Sequence, residues 1–222
     1  MNSSFLQFSS ITKKIWMAGL GLFLMTFLMV HLGINLCLLR DDRSEWFRAA
    51  AHFMGTNYII KVFEVVLFGG FIFHILLGII LQVKNWLSRP VRYMVTNKTP
   101  TPFLSKYMIY TGAIVLTFLI IHIFNFFFIK LGWIGSPVPF LEEGEPDFAG
   151  VAKYLFSQPA YSIAYIALII GLGFHLYHAF QAAFQTFGLD HKTYTPFITG
   201  FGICYAIVIP LGYIIIPLYF LI

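Results

Sequence analysis

The sequence predicts an all-α membrane protein with five transmembrane helices in a bundle, and three observations predict it. Of its 222 residues, 59% are hydrophobic and only 10% are charged, against about a quarter charged in an ordinary soluble domain. Mean hydropathy is +0.82. Five apolar runs each reach the roughly 20 residues that a helix needs to cross a bilayer, and none alternates as a membrane barrel strand would. So few charges cannot cover a water-facing surface. A soluble globular enzyme, a disordered chain and a nucleic-acid binder are therefore excluded. The net charge of +5 is read as a topology signal, not as a nucleic-acid footprint.

The first run covers 15–39 and follows Lys13 and Lys14. It is too long for a signal peptide, and no small-x-small cleavage site follows it. The other runs cover 58–83, 107–129, 160–184 and 197–222. Pro210 and Pro217 fall inside the last and are expected to kink it or fray its end. The third connection carries Pro137, Pro139 and Pro146 with an acidic run. It reads as an ordered loop with a short helix near 148–156. No soluble domain fits anywhere, so 1–222 reads as a single transmembrane domain. Charge sets the orientation. The N-terminal tail has Lys13 and Lys14; the second connection has Lys84, Arg89, Arg92, Lys98 and Lys106 without an acid. In the first connection Arg40, Arg43 and Arg48 are balanced by acids, and the third connection is net negative. The positive-inside rule then places the N-terminus in the cytoplasm and, after five spans, the C-terminus outside. Lys61 and Glu64 lie one turn apart and are expected to cancel each other.

Five histidines fall inside spans: His31, His74, His122, His175 and His178. A single intramembrane histidine is most simply a hydrogen-bonded interhelical residue. One on each of four successive helices calls for more. His31 lies nine residues before Arg40 and His122 eight before Lys130, so both sit about 12–14 Å below the outer boundary at 1.5 Å per residue. His74 lies ten residues before Lys84 and His175 thirteen before Gly188, which puts both about 15–20 Å above the inner boundary. Two pairs at two depths match two bis-histidine b haems, each iron taking two neutral imidazoles from opposite sides. Zinc would want about four ligands at one depth. A proton relay would want carboxylates, which the spans lack except for Glu64. Cys37 and Cys204 form no Cys-x-x-Cys-His motif, so covalent haem is excluded. Gly33, Gly78, Gly112, Gly171 and Gly173 flank the histidines; they suit either a porphyrin or ordinary membrane helix packing. His178, one turn after His175, is a rival ligand on the same helix.

These residues resemble one family along essentially the whole chain. The segments are His31-Leu-Gly-Ile-Asn35, His74-Ile-Leu-Leu-Gly78, Thr111-Gly112 with His122 ten residues on, Phe174-His175 with Phe187-Gly188 closing the helix, and Ala50-Ala-His-Phe-Met54. They are similar to the di-haem cytochrome b membrane anchor of succinate dehydrogenases and fumarate reductases, the type made of one five-helix polypeptide. The resemblance implies that His31 and His122 ligate the outer haem b and His74 and His175 the inner one. It favours His175 over His178. Some members carry a glutamate two residues before the helix 4 ligand; here that position is Gly173.

The resemblance further implies a flavoprotein and an iron–sulfur subunit docked on the cytoplasmic side, since this chain has no dinucleotide fingerprint and no cluster-binding cysteines. Electrons would pass through the two haems to or from a quinone, by resemblance menaquinone, in a bacterial-type cytoplasmic membrane. Haem propionates need basic partners: Lys84 or Arg89 for the inner haem, Arg40 or Arg48 for the outer. His52 and Glu64 are the quinone-site candidates, although His52 also reads as a solvated loop residue and Glu64 as the partner of Lys61. His191 reads as a loop residue. Two other readings are the di-haem cytochrome b of a hydrogenase or formate dehydrogenase, and a transporter whose histidines bind substrate or protons.

Overall fold

The computed structural model describes residues 10–87, 107–141 and 144–222. Arg89 and most of the basic second connection lie outside the described residues. Among those described, the regular structure is all helical. Five helices are long and apolar enough to cross a membrane: α1 (Ser10–Leu36, extended by a 3-10 turn Cys37–Leu39), α3 (Tyr58–Leu87), α4 (Met108–His122, continued to Lys130), α6 (Pro159–Thr186) and α7 (Thr195–Leu221). Two short helices, α2 (Glu45–Thr56) and α5 (Phe148–Phe156), cap one end of the bundle. The expected short helix near 148–156 is therefore present. The first connection is more ordered than its charges suggest. Phe47, Ala50, Ala51 and Met54 repeat at helical spacing, and Phe47 is buried.

Burial is concentrated along α6 and α7 and is least along α3 and α4. α6 packs against α7, α4 and α1, and α1 stands between α3 and α6. The buried residues Ser162, Tyr165, Ile169, Leu172, Leu176, Ala179 and Ala183 of α6 recur every three or four positions, the period of a helix buried along one stripe. Gly188 ends that helix in the left-handed region, φ 75°, with the Leu189 N–H donating to the Phe184 carbonyl at 3.0 Å. This is the glycine closure typical of helix C-termini.

Small residues let the helices approach. A Cβ on Gly202 would meet the Phe180 ring at 2.6 Å, and one on Gly212 would meet Leu32 at 2.8 Å. A Cβ on Gly173 would stand 3.2 Å from the Ala206 carbonyl and 3.2 Å from Pro210. Any side chain at Gly173 would press on the α6–α7 seam. Pro210 and Pro217 are buried in α7, which stays helical through both to Leu221. The expected fraying of its end is not seen, because both prolines pack against neighbouring helices.

α4 continues past His122 through a π turn, Ile123–Phe127, to Phe128–Lys130. Such turns insert one residue and rotate the side chains beyond them about the helix axis. Here Phe127 meets Phe68 of α3 at 4.4 Å, and Lys130 pairs with Glu64 of α3. The expected Lys61–Glu64 pairing is therefore replaced by an interhelical ion pair.

At the capped end the Arg48 guanidinium binds both carboxylate oxygens of Asp147, Nε to Oδ1 at 3.2 Å and an Nη to Oδ2 at 2.9 Å. Burial pushes the Asp147 carboxyl up, but Arg48 and the first-turn N–H groups of α5 outweigh it and hold the carboxyl below its usual range. The same contact raises Arg48. A carboxylate depressed in the folded state stabilises above its unfolded pKa, about 3.9, and loses that contribution as pH falls through the lower folded value. Thermal unfolding in detergent is expected to show this acid-side loss in the native chain. Asp147→Asn should start less stable near neutrality and lose less over the same acid window. Parallel pH profiles for the two would exclude the assignment.

Candidate functional site

The histidines of four different spans come together in two places. His31 on α1 and His122 on α4 face each other with ring centroids 5.7 Å apart and planes at 83°. His31 stacks on Phe27 at 5.1 Å, and the Asn35 amide donates to the His31 carbonyl at 2.7 Å. Behind His122, its Nδ1 lies 2.7 Å from the Tyr165 hydroxyl, and Phe118 stacks on its ring at 5.7 Å. Asn125, in the π turn, donates to the Tyr161 hydroxyl at 3.2 Å. Tyr161 stacks on Tyr165 at 5.3 Å.

The second group joins α3 and α6. His175 lies within electrostatic reach of His74 and of His178. Each of the first two imidazoles rests against a glycine of a neighbouring helix. A Cβ on Gly21 would touch His74 Cε1 at 3.8 Å, and one on Gly112 would touch His175 Cε1 at 3.6 Å. The Thr111 hydroxyl is 3.3 Å from His175 Nδ1 and donates to the Met108 carbonyl at 3.0 Å.

His175 and His178 are distinguished by their surroundings. His178 is buried, at 6% exposure, while His175 keeps accessible surface. The His178 Nε2 and the His74 Nδ1 are buried without a hydrogen-bond partner among the described residues. An orphaned buried nitrogen costs on the order of 1–3 kcal/mol.

Of the glycines flanking the histidines, Gly112 lies against an imidazole. Gly171 and Gly173 serve helix packing, against Ile114 and α7 respectively. Gly78 lies against Met17, and Gly33 has open space around it. Gly21, Tyr165 and Asn125 join the site without any sequence signal, and Thr111, part of the Thr111-Gly112 segment, joins it in a role the sequence did not assign. Gly21 is ten positions from the nearest intramembrane histidine in the chain, yet it lies beside His74. Hydroxyl and amide residues are common in membrane helices, and only the packing places these beside histidines.

A cavity of about 230 Å³ opens at the capped end, lined by Phe47, His52, Lys130, Leu141, Glu145 and Phe148 among others. His52 belongs to helix α2, and its Nδ1 pairs with Glu145 at 3.0 Å. Glu64 does not line the cavity, but its partner Lys130 does. The two quinone-site candidates thus meet at one place through Lys130. Among the propionate candidates, Arg48 is bound to Asp147, and Arg40 pairs with Asp42 at 3.4 Å and lies 4.3 Å over the Trp46 ring. Lys84 lies beside Lys13, which is itself buried at 5% exposure. Arg89 is outside the described residues. His191 lies between α6 and α7, its backbone N–H bonded to Thr195 at 2.8 Å.

Five spanning helices with paired histidines between them make this an all-helical integral membrane protein. Comparisons with known protein families, with curated proteins and with solved structures find no match for this chain.

Proposed function

We propose that the chain is the membrane-anchor cytochrome b subunit of a succinate:quinone oxidoreductase, set in a bacterial-type cytoplasmic membrane with its N-terminus in the cytoplasm. The observation that supports this best is the set of four histidines, one from each of four spans, gathered into two groups at two depths. The residues fit two b haems. His31 and His122 would hold the outer one, and His74 and His175 the inner one. Gly21 and Gly112 let the neighbouring helices lie close against the two inner imidazoles.

Haem supplies one-electron transfer when bound. The chain's own residues hold the imidazoles, exclude water and set the polarity around the iron. The cavity at the capped end suits a quinone headgroup. Phe47 and Phe148 give apolar walls, Lys130 a donor, and the His52–Glu145 pair a place for a proton. Menaquinone is the quinone that the family resemblance favours. The dicarboxylate chemistry belongs to a flavoprotein and an iron–sulfur subunit on the cytoplasmic side. Lys84, with Lys13 beside it, is the basic residue we propose for the inner propionates.

The test is a reduced-minus-oxidised spectrum with a haem assay on the protein from native membranes. Two haems b per chain, reduced by succinate in the presence of the partner subunits, are expected. A haem-loaded chain that copurifies with hydrogenase or formate dehydrogenase subunits would move it to another quinone-linked cytochrome. Absence of haem would overturn the reading and favour a transporter.

A further inference from the structure

We infer that Thr111 and Tyr165 are positioning residues, each setting the proton placement and donor strength of one ligand imidazole across the α4–α6 seam. This rests on the haem reading of the four histidines.

A threonine hydroxyl has one proton and two lone pairs. The Thr111 proton is directed to the Met108 carbonyl at 3.0 Å, so toward His175 Nδ1, 3.3 Å away, the hydroxyl presents a lone pair. A neutral imidazole facing an acceptor carries its proton on Nδ1. His175 Nε2 is then the bare nitrogen, the form an iron ligand needs. Back-bonding of a threonine to its own helix is ordinary; the imidazole on the other side of the hydroxyl gives it a second task.

The Tyr165 contact is the mirror of this. It comes from α6 and holds His122 of α4, while Thr111 comes from α4 and holds His175 of α6. The two helices run antiparallel. Thr111 and His122 are eleven positions apart, Tyr165 and His175 ten, so one register satisfies both contacts. Both hydroxyl residues are buried, Thr111 at 8% and Tyr165 at 6% exposure, so water does not compete. The phenol can accept or donate, and its shorter 2.7 Å contact makes it the stronger lever once His122 Nε2 is engaged. An acceptor at Nδ1 raises the basicity of the imidazole and favours ferric iron.

The experiment is a redox titration of the complex from native membranes, following the two haems separately, with Thr111→Val, Thr111→Ser and Tyr165→Phe. Thr111→Val should shift only the inner haem toward the ferrous form, by about tenfold, equivalent to about 59 mV upward. Thr111→Ser should restore it. Tyr165→Phe should shift only the outer haem, in the same direction. Unshifted potentials in haem-loaded Thr111→Val and Tyr165→Phe would overturn the inference and leave the haem reading intact. Equal shifts of both haems in each variant would also overturn it, as a general structural effect. A native chain without haem would instead remove the haem reading. In that event, ¹⁵N NMR of His175 in the native chain still decides the tautomer: protonated Nδ1 is expected, and protonated Nε2 overturns the Thr111 assignment.

Discussion

Replacing His31 or His122 with alanine is expected to remove the same b-type haem, taking the haem content from about two per chain to about one. Replacing His74 or His175 should remove the other. The rings of His31 and His122 face each other directly, so losing either leaves one imidazole where two are needed. His178→Ala should keep both haems, since the His178 ring is buried while His175 keeps accessible surface. Spectra of the five single variants check the pairing. Loss of the inner haem in His178→Ala with retention in His175→Ala would reverse the choice on α6. Loss of both haems in every histidine variant would mean that the bundle, not the ligand, had failed.

The second large effect is expected at Gly171→Val, which bears no ligand. A Cβ there would overlap the Cγ2 of Ile114 and lie 3.3 Å from its Cβ. Isoleucine is branched at that carbon and cannot swing aside cheaply. Helix propensity alone would gain from removing a glycine, by up to about 1 kcal/mol. Overpacking costs about 1–3 kcal/mol, so the overlap wins. The seam it forces open is the one crossed by His122–Tyr165 and by Thr111–His175. Both haems should weaken together, unlike the one-at-a-time losses of the histidine variants. Adding Ile114→Ala to Gly171→Val should recover part of the loss, as expected for residues in contact. Gly33→Ala, with open space around the site, should be close to neutral. A haem-loaded, normally stable Gly171→Val would show that the α4–α6 approach is not needed.

Much of this architecture can be read in one dimension, because its signals are local. Apolar runs of spanning length mark five helices. Spacing to the charged boundaries orders the histidines by depth, and the proline-bounded run around Phe148 announces α5. Helix α2 is legible too, in the spacing of Phe47, Ala51 and Met54, but its charged neighbours give it the look of a loop.

Lateral relations are not legible. A membrane helix is apolar on its lipid-facing and protein-facing sides alike, so hydrophobic periodicity does not say which way a side chain points. Glu64 has a local partner at helical spacing in Lys61, yet the π turn after His122 turns Lys130 onto it instead. The number of helices long enough to cross and the position of each histidine along its helix come from the order of residues, because length and hydropathy act along the chain. The packed bundle was needed to learn which hydroxyl stands behind which imidazole, which glycine lets two helices meet, and which of His175 and His178 is open. Those depend on helix rotation, and rotation is set by the close contacts of small residues such as Gly171 and Gly202 rather than by hydrophobicity.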